Sequence, residues 1–133
     1  MGKEIIKTTN APAPIGPYNQ AIKSGNLLFI SGQIALDPAS GNLMINDITE
    51  ETHQVMKNLG NILAEAGAGF SNVVKTTIFL SDMQLFLPVN EIYGTYFKTG
   101  KEGDEPVFPA RETVAVKGLP KNVNVEISMI AML

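Results

Sequence analysis

The sequence predicts an α+β fold, with two helices laid on one face of a mostly antiparallel sheet in the order ββ(β)αβαββ. Three observations carry that expectation. Strand-like runs rich in Val, Ile, Thr and Phe stand near the start, middle and end of the chain, at 27–36, 73–80 and 123–132. A long stretch of helical period, 48–66, separates the first run from the second, and a shorter helix-forming stretch follows the second. Gly, Pro, Asn and Asp clusters punctuate the joints between them.

Taken in order, Lys3 to Thr8 is a short β-prone start. Asn10 to Pro17 follows, where prolines hold the backbone extended and remove ladder donors, so this is a stiff loop that carries Tyr18 on its exit. Gln20–Ser24 and Leu27–Leu36 flank Gly25-Asn26, a two-residue hairpin signal. The second of these strands is apolar on both faces around Ser31-Gly32-Gln33, and Gly32 there marks a close approach by backbone or ligand. Asp47 and Glu50 cap a helix from about Ile48 to Ala66, whose stripe of Val55, Leu59, Ile62, Leu63 and Ala66 faces a sheet and whose stop is Gly67. Val73–Leu80 is a strand, and Ser81-Asp82 caps a second helix that continues past Pro88 to Phe97. Lys98 to Val107 is a polar surface loop, and Arg111–Val116 with Val123–Met132 reads as a final antiparallel pair.

Bulk properties narrow the function classes. A chain of 133 residues with 44% hydrophobic content forms one domain, 1–133, with a core of its own. The net charge of −3 and the scattered basic residues disfavour nucleic acid as a partner. The absence of Cys fits a reducing cytoplasm, the residues Met1 to Ile6 lack the apolar run expected of a signal peptide, and no segment approaches the ~20 apolar residues of a membrane span. One His, His53, excludes the usual zinc sets and is expected to be exposed in mid-helix; no G-x-S-x-G elbow accompanies it.

The last two strands hold the informative chemistry. If they pair, burying Val114 and Val116 together with Val123, Val125, Ile127 and Met129 turns Arg111 and Thr113 to the same side as Asn124, Glu126 and Ser128, away from the helices. In a monomer an Arg and a Glu so placed are most simply an exposed ion pair worth under about 1 kcal/mol. Ile130 and Met132 continue that face with apolar side chains, however, which is more greasy surface than two helices cover. A face buried between subunits would make Arg111 a carboxylate-binding fork rather than a surface charge.

The segments Ile15-Gly-Pro-Tyr18, Ile30-Ser-Gly-Gln33, Val74-Lys-Thr-Thr77, Val89-Asn90, Phe108-Pro-Ala-Arg111 and Leu119-Pro-Lys121 with Val125-Glu126-Ile127 resemble, in order and over nearly the whole chain, the RidA/YjgF family of reactive intermediate deaminases. The resemblance implies a chorismate-mutase-like fold, a cytoplasmic homotrimer around a central barrel, and clefts at the subunit interfaces. It also implies hydrolysis of 2-iminopropanoate and 2-iminobutanoate to 2-oxo acids and ammonia without metal or organic cofactor, downstream of pyridoxal-phosphate dehydratases. By matched positions, Arg111 would bind the carboxylate and Glu126 would orient or activate water, with Gly32 and the Thr113 backbone holding the imine, Ser31 and Asn90 lining the cleft and Tyr18 closing it. Three departures stand out: Glu112 where many relatives have a small residue, Thr113 where many have Cys, and a longer loop at 98–107.

Two other readings compete. A trimeric binding or regulatory module for small carboxylates would use Arg111 without turnover, and Glu126 separates the two because a receptor needs no water-handling acid. An endoribonuclease or translation inhibitor is disfavoured by the negative charge and the lack of a basic-aromatic patch.

Overall fold

Two helices lie across one face of a six-stranded sheet, in a computed structural model that describes residues 2–98, 101 and 103–133. The strands are β1 (Glu4–Ile6), β2 (Ala21–Ser24), β3 (Leu27–Gln33), β4 (Val73–Leu80), β5 (Ala110–Ala115) and β6 (Val125–Met132). The helices are α1 (Ile48–Glu65) and α2 (Phe86–Thr95). The sheet runs β1-β2-β3-β6-β4-β5, antiparallel throughout except for the parallel pair of β4 and β5. Among the described residues no helix is long and apolar enough to cross a membrane.

Local signals position α1 as the sequence predicts. The Asp47 side chain accepts the Glu50 N–H at 2.7 Å, and Gly67 at φ 76° lets Ala68 N–H return to the Leu63 carbonyl. Val55, Met56, Leu59, Ile62 and Leu63 are buried against the sheet's Leu28, Ile30, Ile78, Val125, Ile127 and Met129. Truncating a fully buried member such as Leu59 to Ala would cost about 2–5 kcal/mol. In the second helical region Asp82 caps a single 3-10 turn, Met83–Leu85, before α2 begins, so the helix is shorter than expected. His53 is half-buried rather than exposed, and its Nδ1 lies 2.6 Å from the Tyr96 hydroxyl. The expected loop at 98–107 lies partly outside the described residues.

The final antiparallel pair does not form. β6 inserts between β3 and β4, while β5 lies parallel to β4 on its far side, so the connection from β5 to β6 crosses β4 instead of making a hairpin. The reason lies in burial. β6 alternates Val125, Ile127, Met129 and Ala131 into the core and takes a central place, whereas Val114 of β5 is exposed and Val116 lies beyond the strand.

This pairing reverses the expected faces. Arg111 is opposite Thr76 and Thr113 opposite Ile78, and these pair across β4 with Met129 and Ile127, so Arg111 and Thr113 face the helices. Glu126, opposite Phe79, shares the other face with Phe29, Lys75, Thr77, Glu112, Val114 and Ser128. Arg111 and Glu126 therefore stand two strands apart and three residues offset along β4, about 10 Å in each direction by sheet geometry, on opposite faces. Glu112 is turned from Arg111 and faces Glu126's side, where it accepts the Thr77 hydroxyl at 2.7 Å and pairs with Lys75 at 3.2 Å. Those two contacts, Thr77 first, hold its carboxyl below the usual range.

Candidate functional site

The residues expected to act together fall into two clefts. The first is cationic and lies between α2 and β5, with about 290 Å³ enclosed by Asn90, Tyr93, Gly94, Phe108, Pro109 and Arg111. Its organising contact is aromatic. The Arg111 guanidinium carbon lies 5.6 Å from the centre of the Phe86 ring and 5.1 Å from that of Tyr93, so two rings on one face of α2 hold the charge in place. Tyr93 is fixed in turn by donating its hydroxyl to Thr76 Oγ1 at 3.0 Å. Burial raises the Tyr93 pKa, against the smaller lowering effects of Thr76 and Arg111, and this keeps it a neutral donor. Among the described residues no carboxylate lies within ion-pair distance of Arg111, and the neighbouring Thr113 hydroxyl is buried without a hydrogen-bond partner. A planar fork of donors with no anion beside it suits an incoming carboxylate.

The second cleft is acidic and opens on the other side of the sheet, about 330 Å³ lined by Ile15, Tyr18, Ser31, Gly32, Pro120 and Glu126. Here β3 is bulged between Ile30 and Gln33, which breaks the ladder at Ser31 and Gly32. The close approach expected at Gly32 is to Glu126 itself: a Cβ there would sit 2.6 Å from Glu126 Oε1. Half-burial raises the Glu126 pKa, as desolvation disfavours its charged form, and among the described residues no cation lies within ion-pair distance of it. Ser31 donates its hydroxyl to the Asn19 carbonyl at 2.6 Å, so towards a ligand it offers an acceptor. Tyr18 folds back on the proline loop, where its hydroxyl accepts the Ile15 N–H at 3.2 Å.

One side chain makes most of that loop's remaining anchorage, with the Asn61 amide adding a bond to the Asn10 carbonyl at 2.8 Å. The buried Gln20 amide accepts Thr8 N–H and donates to the carbonyls of Thr8, Ala11 and Pro12. A narrow cavity of about 40 Å³ continues behind Glu126 towards Gln33, Ile34 and Leu36.

Of the seven expected site residues, the structure gathers Tyr18, Ser31, Gly32 and Glu126 in one cleft and Asn90 and Arg111 in the other, with Thr113 beside Arg111 on β5. The sequence reading missed Phe86, Tyr93, Phe108 and Pro120. Tyr93 had a signal, since it stands one helical turn after Asn90. Among the described residues no group of three or more acidic or His side chains could hold a metal ion.

Known proteins share this sequence and architecture. The family profile described as "Endoribonuclease L-PSP" matches residues 8–133. A RutC family protein of Synechocystis is 52% identical, covering 100% of this chain and 98% of its own. The mouse (Mus musculus) 2-iminobutanoate/2-iminopropanoate deaminase is 48% identical, over 98% of this chain and 91% of its own. The crystal structure of a conserved Rid family protein from Yersinia pestis superposes with a TM-score of 0.92 at 45% identity, covering 99% of this chain and 100% of that one. With the two helices on a mostly antiparallel sheet also in common, the chain belongs to the RidA/YjgF family, that of the reactive intermediate deaminases.

Proposed function

We propose that this chain is a 2-imino acid deaminase that hydrolyses 2-iminopropanoate and 2-iminobutanoate, and that its site is completed by assembly into a homotrimer. The observation that carries the reading is the division of the site into two unsatisfied halves: among the described residues, a guanidinium without an anion and a raised-pKa carboxyl without a cation. One chain cannot bring them to one small substrate, because they open on opposite faces of the sheet. A second copy can, and the exposed Phe29 and Val114 on the Glu126 face supply apolar surface for that contact. Names carried by relatives, such as the mouse deaminase, support the same activity.

The chemistry asks little of the protein. Arg111 of one subunit would take the substrate carboxylate bidentately, placing the iminium carbon before Glu126 of the neighbour. Glu126, as the carboxylate, takes a proton from water as its oxygen bonds to that carbon. The returned proton goes to the nitrogen of the resulting carbinolamine, its C–N bond breaks as the C=O forms, and the hydroxyl proton passes to the departing ammonia. Iminium acid plus water thus becomes 2-oxo acid plus ammonium, with no change of oxidation state. Gly32 and the Thr113 backbone would hold the imine, Ser31 and Asn90 would line the completed cleft and Tyr18 would close it. The substrate would arrive from pyridoxal-phosphate dehydratases in the cytoplasm.

The test generates 2-iminobutanoate in situ with threonine dehydratase and follows 2-oxobutanoate release. Wild type is expected to accelerate release, Arg111→Ala to lose most of kcat/KM, and Glu126→Gln to lose turnover while still binding 2-oxobutanoate. Binding without any acceleration by wild type would instead establish a carboxylate-binding module.

A further inference from the structure

Glu51 is fully buried in the first turn of α1, and none of the chemistry above uses it. It has no basic partner among the described residues. Its two oxygens accept three hydrogen bonds, all from the start of β6: Asn124 N–H at 2.7 Å, the Asn124 side-chain amide at 2.8 Å and Val125 N–H at 3.1 Å. Burying a carboxylate is costly, and it persists where donors of this kind surround it.

What it grips follows directly on a strained turn. Lys121 and Asn122 take φ of 54° and 56°, two consecutive non-glycine residues in the left-handed region, immediately before Val123 and Asn124. Such backbone persists only where its surroundings over-determine it. The turn also carries Pro120, a wall of the acidic cleft, and leads within four residues to Glu126. Asn124 is tied a second time, accepting the Ser81 hydroxyl at 3.2 Å, while its carbonyl accepts Ser81 N–H. Thus α1, anchored by its own cap, sets where β6 begins, and β6 sets where Glu126 meets Gly32.

We infer that Glu51 is a positioning residue for Glu126: it fixes the Pro120 turn and the β6 start, and with them the register of the acidic wall, without touching substrate. The inference rests on the deaminase reading. A purely structural Glu51 would affect stability alone, or binding and turnover alike, whereas a positioning role affects kcat selectively.

The experiment compares Glu51→Leu and Glu51→Gln in the assembled protein, with imine hydrolysis normalised to folded chain and 2-oxobutanoate affinity measured in parallel. Glu51→Leu is expected to lower kcat by about tenfold or more with product Kd changed by less than about twofold. Glu51→Gln keeps one acceptor oxygen for the Asn124 and Val125 N–H groups and is expected to restore kcat to within about threefold of wild type. Unchanged kcat in Glu51→Leu, or equal losses of kcat and affinity in both variants, overturns the inference. Should Glu51→Leu fail to fold, Glu51→Asp decides: its carboxylate falls one methylene short, so kcat below that of Glu51→Gln supports positioning and kcat at or above it overturns it. A wild type that does not hydrolyse the imine removes the underlying reading instead, which separates the two failures.

Discussion

A methyl group at Gly32 would meet the Glu126 carboxyl at 2.6 and 2.8 Å and its Cγ at 3.0 Å, so the contact is with the outer part of a flexible side chain. The strand need not move to relieve it; the carboxyl swings away. Gly32→Ala is therefore expected to leave the melting temperature nearly unchanged while lowering kcat about tenfold or more, because the water-handling group is misplaced. Equal activity in a folded Gly32→Ala protein would contradict the role given to Glu126. The same carboxyl makes a prediction about pH. Burial raises its pKa, so the carboxylate form that accepts a proton is lost, as pH falls, sooner than for a free glutamate. In the unassembled chain a carboxyl-carbon NMR titration is expected to place its midpoint above the ordinary 4.5. An arginine delivered by a neighbouring subunit pulls the other way, so Arg111→Gln should move the midpoint upwards. No movement would mean that the two residues never share a cleft.

At the scale of elements, what was legible in the sequence was what is encoded locally. α1 announces itself by its stripe, by Asp47 and by Gly67, and all three do what their chemistry predicts. The β2–β3 hairpin follows from Gly25-Asn26 in the same way, with Gly25 at φ 60°. Strand neighbours were not legible, since 116–124 reads equally as a hairpin loop or as a crossover. The row Val114–Val116 imitates a buried face that β5 does not have. That one substitution of neighbour put Arg111 and Glu126 on a common face in the sequence reading and on opposite faces in the molecule. The aromatic seat of Arg111 and the grip of Glu51 were hidden for a related reason: a Tyr in a helix and an acid in a first turn have ordinary local roles. The proline loop offers a test at this scale. Gln20 makes most of its side-chain anchorage, beside the Asn61 amide on the Asn10 carbonyl, so Gln20→Leu leaves one N–H and three carbonyls without that partner. A loss of about 1–3 kcal/mol is expected, with faster amide exchange confined to residues near Thr8 and Ile15 and a raised KM from the loosened Tyr18 wall.

For the whole molecule, the two clefts turn a question of catalysis into one of assembly. If Arg111 of one chain works with Glu126 of the next, neither single variant retains a complete site, yet each retains the half that the other lacks. Unfolding, mixing in equal amounts and refolding Arg111→Ala with Glu126→Gln would then distribute the halves at random. A given interface receives an intact Arg111 with probability one half and, independently, an intact Glu126 with probability one half, so about one quarter of wild-type activity is expected to return. Inactive mixtures that have assembled to the same size would place both residues' function within one chain, against the geometry of the sheet. Placing a charge on the apolar part of the Glu126 face, as in Phe29→Glu, should abolish assembly and activity together while the isolated chain keeps its helical signal. Sedimentation paired with circular dichroism reads both. Activity retained in a monomer would show that the halves are not joined across subunits, because loss of the neighbour removes Arg111 from Glu126 without altering either cleft's own lining.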